Sequence, residues 1–173
     1  GAASTRQLLS NKRIEIMERV PMTPTGNAKL REELRHLRDV ERPRISKDIG
    51  TAIEMGDLSE NAEYHAAKER QGMVEARIKE LEDRLARAEV IDPAKLSGSR
   101  IAFGATVTVI DVEADKELTY QIVGADESEV ERNRISVTSP IARALMAKEP
   151  GDEVTVRTPG GQRVLEVVNV IYR

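Results

Sequence analysis

The chain has 173 residues, of which 33% are charged and 39% hydrophobic, and a net charge of -3. With no cysteine and two histidines it excludes disulfides and thiolate metal sites, and it is compatible with the reducing cytoplasm expected as its location. The acidic balance excludes a general nucleic-acid binder, so any contact with RNA must come through a local patch.

Residues 1–22 come first. Their opening stretch, GAASTRQLLSNKR, lacks the apolar core of a signal peptide. They are set aside as an N-terminal extension or tag remnant. No apolar run approaches the roughly 20 residues that span a bilayer, so no membrane partner is expected.

From Pro24 to about Ile91 the apolar period is helical. Leu30, Leu34 and Leu37 step by four and three, and Ile45, Ile49 and Ile53 continue at intervals of four. Beyond GDLSEN, Val74, Ile78, Leu81, Leu85 and Ala88 alternate steps of four and three, a seam of coiled-coil type. Two such segments joined by a short polar turn predict an antiparallel helical hairpin over 23–92. Each arm has roughly 30 residues, on the order of 45 Å at 1.5 Å per residue. A hairpin that closes its own seam points to a monomer.

Thr23 is placed to cap the first helix with Pro24 at its first position. Gly56 is placed to end that arm in a left-handed conformation. Asp92-Pro93 is expected to end the second arm. Pro43 lies inside the first arm and predicts a kink or a local break.

KLSGS marks a linker, 93–99. From Arg100 the period changes to two: TVTVI, ELTYQIV, RISV, EVTVR and RVLEVVNVIY are strand-like. SPIARALMAK predicts a short helix with Ser139 as cap and Pro140 in its first turn, and TPGGQ a turn between the last strands. Residues 100–173 therefore read as a small α+β domain. Aromatics are 2% of the chain, so its core must be aliphatic.

The hairpin tip carries the chemistry. Asp57 and Glu60 stand three apart at the turn and can aim two carboxylates at one point. Oxygen ligands of that kind suit Mg²⁺, which takes one or two carboxylates with waters and phosphates. The same spacing also fits a capping box, Asp57 accepting from first-turn amides and Glu60 reaching back, and spacing alone favours capping.

GDLSENAEYHAAKE resembles the signature of the Gre family of bacterial transcript-cleavage (transcription elongation) factors. PMTPTGNAKLREEL, RIKELEDRLARAEVID, FGATVTV, YQIVG, ISVTSPIARALMAKE and TPGG resemble that family in the same order, covering Val20 to Arg173. The resemblance implies a two-domain α+β protein. Its N-terminal antiparallel coiled-coil hairpin is followed by a small FKBP-like domain with an antiparallel sheet. It implies a globular half that docks at the entrance of the RNA polymerase secondary channel and a hairpin that reaches the active centre. There Asp57 and Glu60 would help hold a second Mg²⁺ and orient the attacking water. The polymerase would then cut the nascent RNA near its 3′ end in backtracked, arrested complexes. The factor is no enzyme by itself under this reading. The alternative is a channel-binding regulator that does not promote cleavage.

Other residues carry weaker signals. Arg31, Arg35, Arg38 and Arg42 form a basic stripe, read chiefly as salt bridges to the second arm rather than RNA contacts. Lys68 matches a basic position of the family signature and is the better candidate for a phosphate contact. The family often carries a basic residue shortly before the tip, but here TAIEMGD places Ile53 there. The basic patch that would contact RNA is thus expected to be weaker or displaced toward Arg44 and Lys47. Tyr64 and His65 are read either as packing residues or as groups facing RNA. Ser139, Pro140 and Ile141 stand at a loop-to-helix junction that, by resemblance, faces the polymerase. The aromatic-poor second half is expected to lack prolyl-isomerase activity.

Overall fold

A computed structural model describes Ser4, Thr5 and residues 19–173. Most of the expected N-terminal extension lies outside the described residues. The end of that stretch is structured: Val20–Met22 forms β1, which pairs with β2, Ala88–Val90. The Ile91 amide donates to the Met22 carbonyl at 2.8 Å.

Two compact units result, one of Asn27–Ala88 and one that joins the residues up to Gly26 with Glu89–Arg173. The divisions thus fall at Gly26 and Ala88, inside the expected limits of 23 and 92.

The first arm contains α1 (Pro24–His36), a π turn (Leu37–Glu41) and α2 (Arg42–Glu54). Thr23 caps α1 as expected, its hydroxyl accepting from the Gly26 amide at 3.1 Å. The break predicted from Pro43 is the π turn just before it. The Arg42 amide reaches back five residues to the Leu37 carbonyl. Pro43 has no amide to donate, and its ring would crowd the carbonyl four residues earlier; the widened turn opens the helix there.

Helix α3 (Ala62–Ala86) is the second arm. It stops before the expected end at Asp92-Pro93, because Ala88–Val90 is taken into the strand pair with β1. Asp92 instead caps a 3₁₀ turn, Pro93–Lys95, by accepting from the Ala94 amide at 3.0 Å.

The seam buries Leu30, Leu34, Ile45 and Ala52 from the first arm and Ala67, Ile78 and Leu81 from the second. Ile53 was expected in it and is instead 50% exposed. Two successive steps of four from Ile45 turn the side chain about 80° off the stripe, whereas steps of four and three bring Ala52 to within about 20°.

The basic stripe divides. Arg38 bonds Glu82 at 2.5 Å and Arg42 bonds Glu75 at 2.8 Å, both across to α3. Arg31 and Arg35 stay on their own helix, with Asn27 and Glu32. Arg77 returns from α3 to Glu33 at 2.7 Å. Exposed, solvent-screened pairs of this kind add little to stability.

The other unit holds a five-stranded sheet, ordered β5-β4-β3-β7-β6. Its strands are β3 (Thr106–Asp111), β4 (Lys116–Val123), β5 (Arg134–Ser136), β6 (Glu153–Thr158) and β7 (Gly161–Ile171). All five expected strands form. Pairing is antiparallel except that β5 joins β4 in parallel. The short turns between β4 and β5 bring the chain back to the same end of the sheet before β5 begins, so a hairpin cannot form.

Helix α4 (Pro140–Leu145) packs on this sheet, with Ala142 and Leu145 in an aliphatic core beside Val107, Val109, Ile122 and Leu165. Its cap is the expected one: the Ser139 hydroxyl accepts from the Ala142 amide at 3.3 Å. No described helix is long and apolar enough to cross a membrane.

Candidate functional site

Helix α2 ends at Glu54, and Gly56 follows with φ +113°, a conformation that a Cβ would strain. That reversal starts the tip. Residues Leu58–Glu60 then form a single 3₁₀ turn, separate from α3.

Asp57 caps this turn. Its Oδ1 accepts from the Ser59 hydroxyl at 2.8 Å and from the Ser59 amide at 3.0 Å. These donors favour the charged form and hold the carboxyl below its ordinary value, the hydroxyl contributing most and the amide next. No bond to Oδ2 is found among the described residues. Glu60 has no hydrogen bond or ion pair among them either, and both acids are exposed.

The capping box expected from the Asp-x-x-Glu spacing is therefore half present. Asp57 does order a turn, but Glu60 does not reach back. The cap of α3 is Asn61, whose Oδ1 accepts from the Tyr64 amide at 3.0 Å. Its Nδ2 also donates to the Ala52 carbonyl on the other arm at 2.7 Å. Reading the sequence missed this residue, although asparagine is as good a cap as aspartate and precedes the first helical residue directly.

Ser59→Ala tests the turn. Removing the hydroxyl donor should raise the Asp57 titration toward the ordinary carboxylate value, read by carboxyl ¹³C NMR. An unmoved titration would show that the Ser59 bonds do not form in solution.

His65 Nε2 lies 3.3 Å from the Ser59 carbonyl, and its ring meets the Tyr64 ring edge-on at 5.6 Å between centroids. The histidine thus supports the loop that carries the acids. Tyr64 is half-buried, in keeping with packing.

Among the basic candidates, Lys68 donates to Gln71 at 2.9 Å and Arg44 is engaged by Glu41 at 3.1 Å. Lys47 is exposed without an ion pair among the described residues. Between Ile53 and Glu63 the tip holds Glu54, Asp57, Glu60 and Glu63 and no lysine or arginine. Its exposed apolar side chains are Ile53, Met55 and Leu58.

In the other unit, Ser139 is half-buried at its cap, Pro140 is exposed, and Ile141 packs partly against the core. The three are adjacent in the structure, with Pro140 the most accessible.

Two carboxylates with free oxygens fit part of a Mg²⁺ shell, which is octahedral and filled out by waters and phosphates. Among the described residues no group of three or more His, Cys, Asp or Glu could hold a metal.

Residues 20–90 match the family model described as "Transcription elongation factor, N-terminal", and residues 96–172 match "Transcription elongation factor, GreA/GreB, C-term". Transcription elongation factor GreA of Hyphomonas neptunium is 59% identical over 157 residues, 91% of this chain and 100% of that protein. The GreA of Brucella anthropi is 59% identical over 156 residues, 90% and 99% of the two chains. A crystal structure of GreA factor homolog 1 (Gfh1) of Thermus thermophilus is 30% identical and covers 88% of this chain and 98% of its own. Its TM-score of 0.41 is too low to bear on function. Both halves of the sequence match in order, and the relatives are matched over their whole length. The chain belongs to the GreA/GreB family of transcription elongation factors.

Proposed function

We propose that this chain acts on bacterial RNA polymerase through the secondary channel and stimulates the polymerase's own endonucleolytic cleavage of RNA in backtracked complexes. The observation that carries the reading is the state of the tip acids. Helix α3 is capped by Asn61, and among the described residues Glu60 makes no bond and Asp57 uses only one oxygen.

Asp57 and Glu60 would hold a second Mg²⁺ together with the polymerase and the RNA. That ion, when bound, supplies Lewis-acid stabilisation and an acidified water. The chain's own contribution is positional. Ser59 favours the charged form of Asp57 and binds one of its oxygens, and the other has no bond among the described residues. Glu60 presents a second carboxylate from the end of the same turn. The acidic tip repels a phosphate unless a cation lies between them, so the acids favour metal-mediated contact over direct contact. Lys47 and Lys68, which have no carboxylate partner among the described residues, are the groups suited to RNA phosphates. Pro140, flanked by Ser139 and Ile141, is the candidate polymerase contact on the other unit.

The direct test adds the purified chain to a stalled, backtracked elongation complex in Mg²⁺. Release of a 3′ RNA fragment is expected, with no cleavage of the same RNA in the absence of polymerase. Binding without fragment release would sink the cleavage role and leave a non-cleaving regulator of the channel.

A further inference from the structure

Glu60 has no side-chain partner among the described residues to aim it, unlike Asp57, which Ser59 holds. Its direction is set by the backbone, and the next residue is Asn61. A residue needed only as a helix cap uses an acceptor. Asn61 uses its acceptor on the Tyr64 amide of α3 and its donor on the Ala52 carbonyl in the last turn of α2. Ala52 is 2% exposed and belongs to the buried seam, so the donor is anchored to a rigid point. The Asn61–Ala52 bond closes the loop that contains Asp57, Ser59 and Glu60.

We propose that Asn61 is a positioning residue for the tip carboxylates: it ties the two arms across the base of the loop and so holds Glu60 beside Asp57. The inference rests on the reading that these two acids act on a metal shared with polymerase. Its physical basis is entropy. A loop closed only through the long arms samples many directions at its tip, and a side-chain bond at the base removes much of that freedom before the ligand arrives. Small misplacement of a reacting group is costly: about 1 Å can cost 10²-fold in rate.

Asn61→Ser separates this role from capping. Serine caps a helix about as well as asparagine but is too short to reach the Ala52 carbonyl, and the change adds no charge. Helix content and polymerase affinity are expected to stay unchanged. Backbone hydrogen exchange should speed up at Leu58–Asn61 while the body of α3 keeps its protection. At saturating factor, the cleavage rate should fall about tenfold and the Mg²⁺ concentration for half-maximal rate should rise. Wild-type rate and Mg²⁺ dependence at saturation would overturn the proposal. So would a loss that tracks weaker polymerase binding and is recovered by excess factor, since that is a merely structural effect. Failure of the underlying reading looks different: Asp57→Asn with Glu60→Gln would then keep full cleavage whatever Asn61→Ser does.

Discussion

Asp57→Asn combined with Glu60→Gln is expected to lower polymerase-dependent RNA cleavage by about 10²-fold or more, the scale of losing preorganised electrostatic groups at a reacting centre. The fold should not register the change. An asparagine at 57 still accepts from the Ser59 amide, and it ranks with aspartate as a cap. Glu60 makes no bond among the described residues, so glutamine loses none there. The cap of α3 is Asn61 and is untouched. Stability should therefore stay close to that of the parent chain, as for other surface changes away from special features. The measurement is fragment release from a backtracked complex, with circular dichroism and polymerase binding run beside it. Undiminished cleavage would remove the metal assignment. A large loss of helix content would return the two acids to a structural role, and the free Glu60 carboxylate argues against that.

Glu127→Ala should be strongly damaging for folding. The Glu127 side chain is 5% exposed and sits among donors. Its Oε2 accepts from the Thr23 amide at 3.0 Å and from the Gly124 amide at 3.3 Å, and its Oε1 accepts from the Thr23 hydroxyl. Arg134 places a guanidinium nitrogen 3.7 Å away, while its Nε is buried without a hydrogen bond among the described residues. Deleting the carboxylate leaves a largely buried cation without its counter-charge and leaves two backbone amides without acceptors. The expected loss is roughly 3–5 kcal/mol, as for breaking one side of a buried pair. At about 2–4 °C per kcal/mol, this is on the order of 10 °C in melting temperature. Gly26 shows how closely the site is built: a Cβ there would stand 2.2 Å from the Glu127 Cδ. Glu127→Gln keeps the volume and one acceptor and should lose less than the alanine variant. A calorimetric shift near zero for Glu127→Ala would mean that the first turn of α1 does not depend on this carboxylate.

Much of the fold was legible because its signals are local and periodic. The two apolar seams, the change of period after Arg100, the Thr23-Pro24 and Ser139-Pro140 helix starts and the reversal at Gly56 each depend on residues within a few positions of one another. Such patterns act through sterics and capping, and a single sequence displays them in full. Ile53 marks the limit of pattern reading: a run of fours looks apolar and regular, yet the twist of a helix turns it outward. The π turn before Pro43 is a similar case. Proline forbids a regular helix but does not say which irregular one will replace it.

Length, charge, the helical hairpin, the strand-rich second half and the candidate acids were thus determined by the sequence alone. Tertiary structure decided the rest. Val20–Met22 and Ala88–Val90 became strands because each supplied the other's backbone partners across a long stretch of chain. Glu127 became a hub because Thr23, 104 residues away, was brought to it. At the tip, spacing alone favoured capping over ligation for Asp57 and Glu60. Asn61 caps α3 by accepting from the Tyr64 amide and separately donates to the Ala52 carbonyl of the opposite arm, and Glu60 makes no bond among the described residues. A hydrogen bond between residues on two helices has no period and no local signature, so only the packed hairpin could show the tie from Asn61 to Ala52.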